Sequence, residues 1–288
     1  MNILTDDHLI RGLDAICRAH RTNAFVDGHR GGALVSAYFF TREAMVEPGA
    51  AAAIRRIVDE QWLSTPLFAA SVAEASRPDL LDHAITRLER STDDLRVAGH
   101  DIILPILALK VFHVVPQAIT ATRIEGLCRL IDVFDSSPAD TPGSPQDAPD
   151  PARPSDALAA MILLELLASI DRFAGHGQGW SGHLLTFGRA VIDLREMGHL
   201  GVARRAERAF RRYIARVRLG PLDGDQAQPD HLATDQRPHH AAYWQQRLSV
   251  PLGLGHALKY PYAFYDLVER AQDPELKARS MAKAYHFF

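Results

Sequence analysis

One pattern recurs along this 288-residue chain and limits what it can fold into: a glycine-histidine pair followed by an apolar run of helical period. It reads FVDGHRGGALVSAYFF around His29, VAGHDIILPILALKVFH around His100, FAGHGQGWSGHLLTFGRAVIDL around His176 and His183, and LGLGHALKYPYAFYDL around His256. Taken at His29, His100, His183 and His256, successive copies lie 71, 83 and 73 residues apart. A period of that length accommodates two or three helices, and units that cannot bury an apolar face alone must stack on a shared core. The pattern predicts an all-α, single-domain helical repeat over residues 1–288. About four helix-hairpin units would close around a central cavity, where equivalent histidines converge.

The rest of the sequence fits helices better than strands. Ala, Leu and Arg abound, while alternating Val/Ile/Thr runs are scarce. Amphipathic spacing predicts helices over Ala50–Gln61, Asp79–Glu89, Asp156–Phe173, His183–Met197 and Val202–Val217. Ser155-Asp156, Arg77-Pro78-Asp79 and Asp273-Pro274-Glu275 supply start signals: a capping side chain, a proline with pre-set φ, or an acid in the first turn. Two stretches break the pattern. SSPADTPGSPQDAPDPARP, residues 136–154, is too polar and proline-rich to offset the entropy of ordering and is expected as a mobile loop. GPLDGDQAQPDHLATDQRP, residues 220–238, is expected as a second long loop.

Charge narrows the partners. With 32 basic and 35 acidic side chains the net charge is −3, so no chain-wide attraction to phosphate backbones or anionic lipid is available. Nucleic acid is not an expected partner. The basic run Arg204–Arg218 spreads its arginines over several helix faces and reads as a solvated helix or an oligomer contact. Cys17 and Cys128 are isolated, which excludes a disulfide framework and a thiolate zinc site. No uncharged run reaches membrane-spanning length and the first residues lack an apolar signal. A cytoplasmic protein with no membrane partner is expected, and the chain admits a homo-oligomer.

The histidines carry the candidate chemistry. An imidazole at a helix start lies near orphan amide donors and the positive end of the helix dipole, which favour its neutral form. Neutral imidazole is both a metal ligand and a competent base. Four such groups in one cavity would hold a transition metal, iron first, with zinc, manganese and copper as alternatives. The expected metal ligands are His29, His183 and His256, with His100 or His113 from the second unit, since only one of that pair faces inward from a single helix. His183 opens the better helix of its unit, leaving His176 with Lys259 as catalytic candidates. Lys259, three residues after His256, shares its helix face and would act as an extra ligand or base. Used simply as caps, the same histidines would make the chain a scaffold or small-molecule binder. Tyr38-Phe39-Phe40, Tyr260–Tyr265 and Tyr285–Phe288 offer walls for a flat aromatic substrate.

GHRGGALVSAYFF, KVFHVVPQAIT, GWSGHLLTFGRAVIDL and GHALKYPYAFYDL together resemble the blocks of the questin oxidase-like family. The resemblance implies an all-helical oxygenase acting on an aromatic or polyketide-type small molecule. It matches His29, His183, His256 and Lys259 to that family's motifs, and either His100 or His113 in the second block. Gly31-Gly32 stands where relatives tend to carry further histidines. A different likeness comes from His100-Asp101, which resembles the metal dyad of helical phosphohydrolases. Ile102-Ile103-Leu104-Pro105 replaces the glycine-lysine that often follows that dyad. No glycine-rich dinucleotide fingerprint is present.

Overall fold

The computed structural model describes residues 3–43, 46–92, 94–140 and 154–288. Twelve α-helices and no strands occur among the described residues. They are α1 (Asp6–Arg18), α2 (Ala24–Glu43), α3 (Pro48–Val58), α4 (Leu81–Ser91), α5 (His100–Val114) and α6 (Ala121–Asp135) in the first half. The second half holds α7 (Ser155–Arg172), α8 (Gly179–Glu196), α9 (Leu200–Arg218), α10 (Ala241–Gln245), α11 (His256–Arg270) and α12 (Pro274–Lys283). The expected helices all form, with shifted ends. Asp273 caps α12 by accepting from the amides of Glu275 and Leu276. Helix α8 begins four residues before His183, because Gly179-Trp180-Ser181-Gly182 winds into it and the glycines do not break it.

Every third helix carries one of the recurring histidines, and these four helices pack in a ring: α2 on α5, α5 on α8, α8 on α11 and α11 on α2. Their sequences explain the inner position. All residues of α5 from His100 to Phe112 and of α8 from Ser181 to Leu194 are buried, as expected of helices apolar around most of their circumference. The remaining helices bury one stripe and form the outside. Helix α1 lies on α2 and α6, α7 on α8 and α11, and α9 on α8 with α4 beside it. Helix α9 turns Val202, Ala206, Phe210, Tyr213 and Val217 inward, which leaves most of its arginines at the periphery. Val97–Val114 is long and apolar enough to cross a membrane, but it holds Asp101 and Lys110 and is 78 % buried inside the protein.

Side chains pack the interior of the ring. A void bounded by Ser36, Ile103, Thr186, Arg189, Lys259 and Tyr262 has a volume of about 10 Å³, room for one water molecule. Of the segment 136–154, residues 141–153 lie outside the described residues. Residues 220–238 contain no helix, yet they are pinned: the Gln228 amide donates to Gly175 O, and the Asp230 carboxylate accepts from the Gly175 amide.

Candidate metal centre

The four ring helices present His29, His100, His183 and His256 to one another. Ring centroids lie 4.2 Å apart for His29–His100, 4.5 Å for His100–His183, and 5.3 Å for both His29–His256 and His183–His256. His29, His183 and His256 each offer a ligand nitrogen, and these three nitrogens lie within 4.8 Å of one another. His29 is fully buried and His100 and His183 nearly so. His100 stands beside the trio, with its Nε2 2.9 Å from Nε2 of His183.

The local backbone reaches this arrangement in two ways. His100 and His256 are first residues of their helices, each following a left-handed glycine, Gly99 at φ 85° and Gly255 at φ 74°. Val97 and Ala98 also have positive φ, 47° and 53°, so two successive non-glycine residues hold costly backbone just before Gly99 and His100. His29 and His183 differ from the expectation of a helix start, being the sixth residue of α2 and the fifth of α8. There the preceding glycine serves close packing: a Cβ at Gly182 would lie 2.3 Å from the Tyr260 ring, and one at Gly28 2.6 Å from Leu104.

Hydrogen bonds fix the ring orientations. Nδ1 of His29 lies 2.7 Å from Phe25 O, Nδ1 of His183 2.6 Å from Gly179 O, and Nδ1 of His100 within bonding distance of Val97 O. A carbonyl oxygen only accepts, so each Nδ1 bears the proton, and each neutral ring turns an Nε2 lone pair inward. This is the backing that metal-bound histidines have. Nε2 of His29 and of His256 are buried without a hydrogen-bond partner. The facing lone pairs of His100 and His183 repel unless a proton or cation lies between them. Nitrogens 2.9 Å apart suit two neighbouring ligands of one ion at metal–nitrogen distances of about 2.0–2.1 Å.

Electrostatics keep the rings neutral. Burial first, and then the nearby Lys259 ammonium, pushes the imidazolium pKa down to about 2 for His29 and about 3 for His183. The same causes lower that of His256, while His100 is lowered by burial and then by His183. Lys259 is 2 % exposed, and burial lowers its own pKa. Aromatic rings close the site: Phe25 packs 4.3 Å from His29 and 4.9 Å from His100, and Tyr260 stacks on His256 at 4.6 Å.

Other sequence candidates lie elsewhere. His113 is exposed in the last turn of α5 whereas His100 is buried at its start, so His100 is the inward histidine of that helix. His176 stands in the α7–α8 connection, its Nδ1 3.2 Å from Ala174 O and its backbone bridged to Gln228. It makes no ring contact with the cluster, because Gly175 and Gly177 carry the chain away in left-handed conformations. Asp101 is buried beside His100, but one residue around the helix. Burial and then Asp140 raise the pKa of its carboxyl, and neither oxygen has a hydrogen-bond partner.

A second polar layer went unread in the sequence. Ten residues after each histidine stand Phe39, Lys110, Asp193 and Asp266, about 15 Å further along the ring at 1.5 Å per residue. Lys110 Nζ donates to Asp193 Oδ1 at 3.1 Å and lies 4.5 Å over the Phe39 ring. Arg189 donates to the same Asp193 oxygen at 2.9 Å and is in contact with Asp266. The Tyr262 hydroxyl donates to Glu43 Oε2 at 3.0 Å and accepts from Lys110. The legible signal was charge at the inward phase of otherwise apolar helices, as in ILALKVF and FGRAVIDL. Past Tyr262 a cavity of about 450 Å³ opens, bounded by Glu43, His239, Tyr265 and Glu269. Comparison with protein-family models, with curated proteins and with solved structures finds no match.

Proposed function

We propose that the chain is a metal-dependent oxygenase in which His29, His183 and His256 hold a non-haem transition metal, iron first, with His100 beside them. The observation that carries this reading is the trio of imidazole nitrogens within 4.8 Å of one another, each from a different helix. The Nδ1 protons of His29 and His183 are committed to backbone carbonyls, which favours coordination through Nε2. The enclosing helices would exclude water, and a metal held there would supply the Lewis acidity that binds and polarises oxygen or substrate. The resemblance of the four sequence blocks to the questin oxidase-like family supports an aromatic small molecule as substrate, with Lys259 as base or additional ligand and the ring of repeat units as the frame. Elemental analysis of protein purified without a polyhistidine tag is expected to find stoichiometric transition metal, lost in His183→Ala. Metal-free wild type across several preparations, even after incubation with ferrous, cobalt and zinc salts, overturns the reading.

The phosphohydrolase alternative needs Asp101 as a ligand and therefore predicts that Asp101→Ala abolishes metal binding. The charges that act on this carboxyl are those of Asp140 and Arg96, which favours the histidine trio. Retention of metal in Asp101→Ala together with its loss in His256→Ala separates the two.

A further inference from the structure

We propose that the histidine site binds an exogenous anion, so that its substrate or co-ligand enters as an ionised oxygen donor such as a carboxylate or enolate. This rests on the metal reading above and adds the charge of what completes the site.

The argument is one of charge balance. The ligand group consists of histidines alone, and among the described residues no Asp or Glu belongs to it. The charges that act on the rings of His29, His183 and His256 are those of Lys259 and of the rings themselves, with no carboxylate among them. Neutral imidazoles leave the full charge of a divalent ion uncompensated. In a buried site that charge is costly without a counter-charge. The surrounding backbone adds to the imbalance. Helices α5 and α11 begin at the site, and α2 and α8 begin about one turn beyond it, so the positive ends of four helix dipoles are gathered there. Lys259, which acts on all three rings, adds N–H donors and no negative charge on the same side. An independent feature marks a place for a ligand: Nε2 of His29, on a fully buried side chain, points into the site without a partner. A metal with one anion attached satisfies that nitrogen and halves the charge that the neutral imidazoles leave uncompensated.

The test uses the full chain loaded with cobalt(II), with azide as the anionic probe and imidazole as a neutral probe, each followed by visible absorption. Azide is expected to bind and to perturb the cobalt bands. In Lys259→Met its affinity per bound metal is expected to fall about tenfold, or about 1.4 kcal/mol, with a smaller change for imidazole. Lys259→Gln repeats the measurement if the methionine variant does not fold. Failure of cobalt to bind overturns both this inference and the metal reading. Cobalt binding without any azide response, or an equal loss for both probes, overturns the inference and leaves the metal reading standing.

Discussion

The histidines show how much one residue type gives away and where it stops. His29, His100, His183 and His256 were legible because each follows a glycine and opens or enters an apolar helix, so a period of about seventy residues tied them together. His113 and His176 looked equivalent by composition. What separates them is phase and backbone, since His113 lies at the far end of α5 and His176 sits between two left-handed glycines. Neither is visible as residue identity. Burial of neutral imidazoles has a consequence for stability. Unfolded histidine protonates near pH 6.5, whereas folded His29 and His183 resist protonation down to about 2 and about 3. Between those limits the unfolded chain binds more protons, so stability falls as pH falls from 6.5 toward 3 and is fully present above that window. In chelator-treated protein, His29→Asn is expected to flatten the dependence of unfolding free energy on pH between about 6.5 and 5 by up to about 1.4 kcal/mol per pH unit. Urea unfolding across that range measures it, and an unchanged slope would mean that His29 already carries a proton in the fold.

At the scale of elements, amphipathic spacing found the helices, because a buried stripe on a 3.6-residue period survives even when ends shift. The ends themselves were less legible. Helix α8 runs through both Gly179 and Gly182; at Gly182 the close approach of Tyr260 requires a position without a side chain, whereas a Cβ at Gly179 would meet nothing within 4 Å. The two helices that open directly on a histidine share more than their glycine: Pro105 and Pro261 both stand five residues after it. Gly255 illustrates what this start demands. It has φ 74°, and a Cβ there would lie 2.2 Å from that of Ala33 and 2.8 Å from the Trp62 ring. Gly255→Ala is therefore expected to destabilise by about 1–3 kcal/mol from backbone strain alone, with the clash against α2 adding to it. It is also expected to reduce metal content, because His256 would be displaced with the helix start. A variant as stable as the parent in urea unfolding would show that α11 does not need the left-handed start.

For the whole molecule, α2, α5, α8 and α11 pack in a ring with a polar layer at each end of its interior, one of imidazoles and one of ion pairs. The first was legible because glycine marks it. The second was less so, because Arg189 and Asp193 form an i,i+4 pair on α8, whereas Lys110 on α5 and Asp266 on α11 reach that pair only once the ring has closed. Burial makes this second layer asymmetric. Asp193 bonds to both Lys110 and Arg189, and while burial alone would raise its carboxyl pKa, the two cations outweigh that and hold it below the ordinary value. Asp193→Leu leaves two buried cations with less negative charge, a loss expected to cost about 3–5 kcal/mol. Lys110→Met leaves Asp193 still paired with Arg189 and removes chiefly charged hydrogen bonds, for which about 1.5–3 kcal/mol is expected. Urea unfolding of the two variants at neutral pH tests the order. If Lys110→Met were the more damaging, Arg189 would have to be neutralised by Asp266 and Glu43 without help from Asp193. The far layer would then be two separate ion pairs, each able to form before the ring closes.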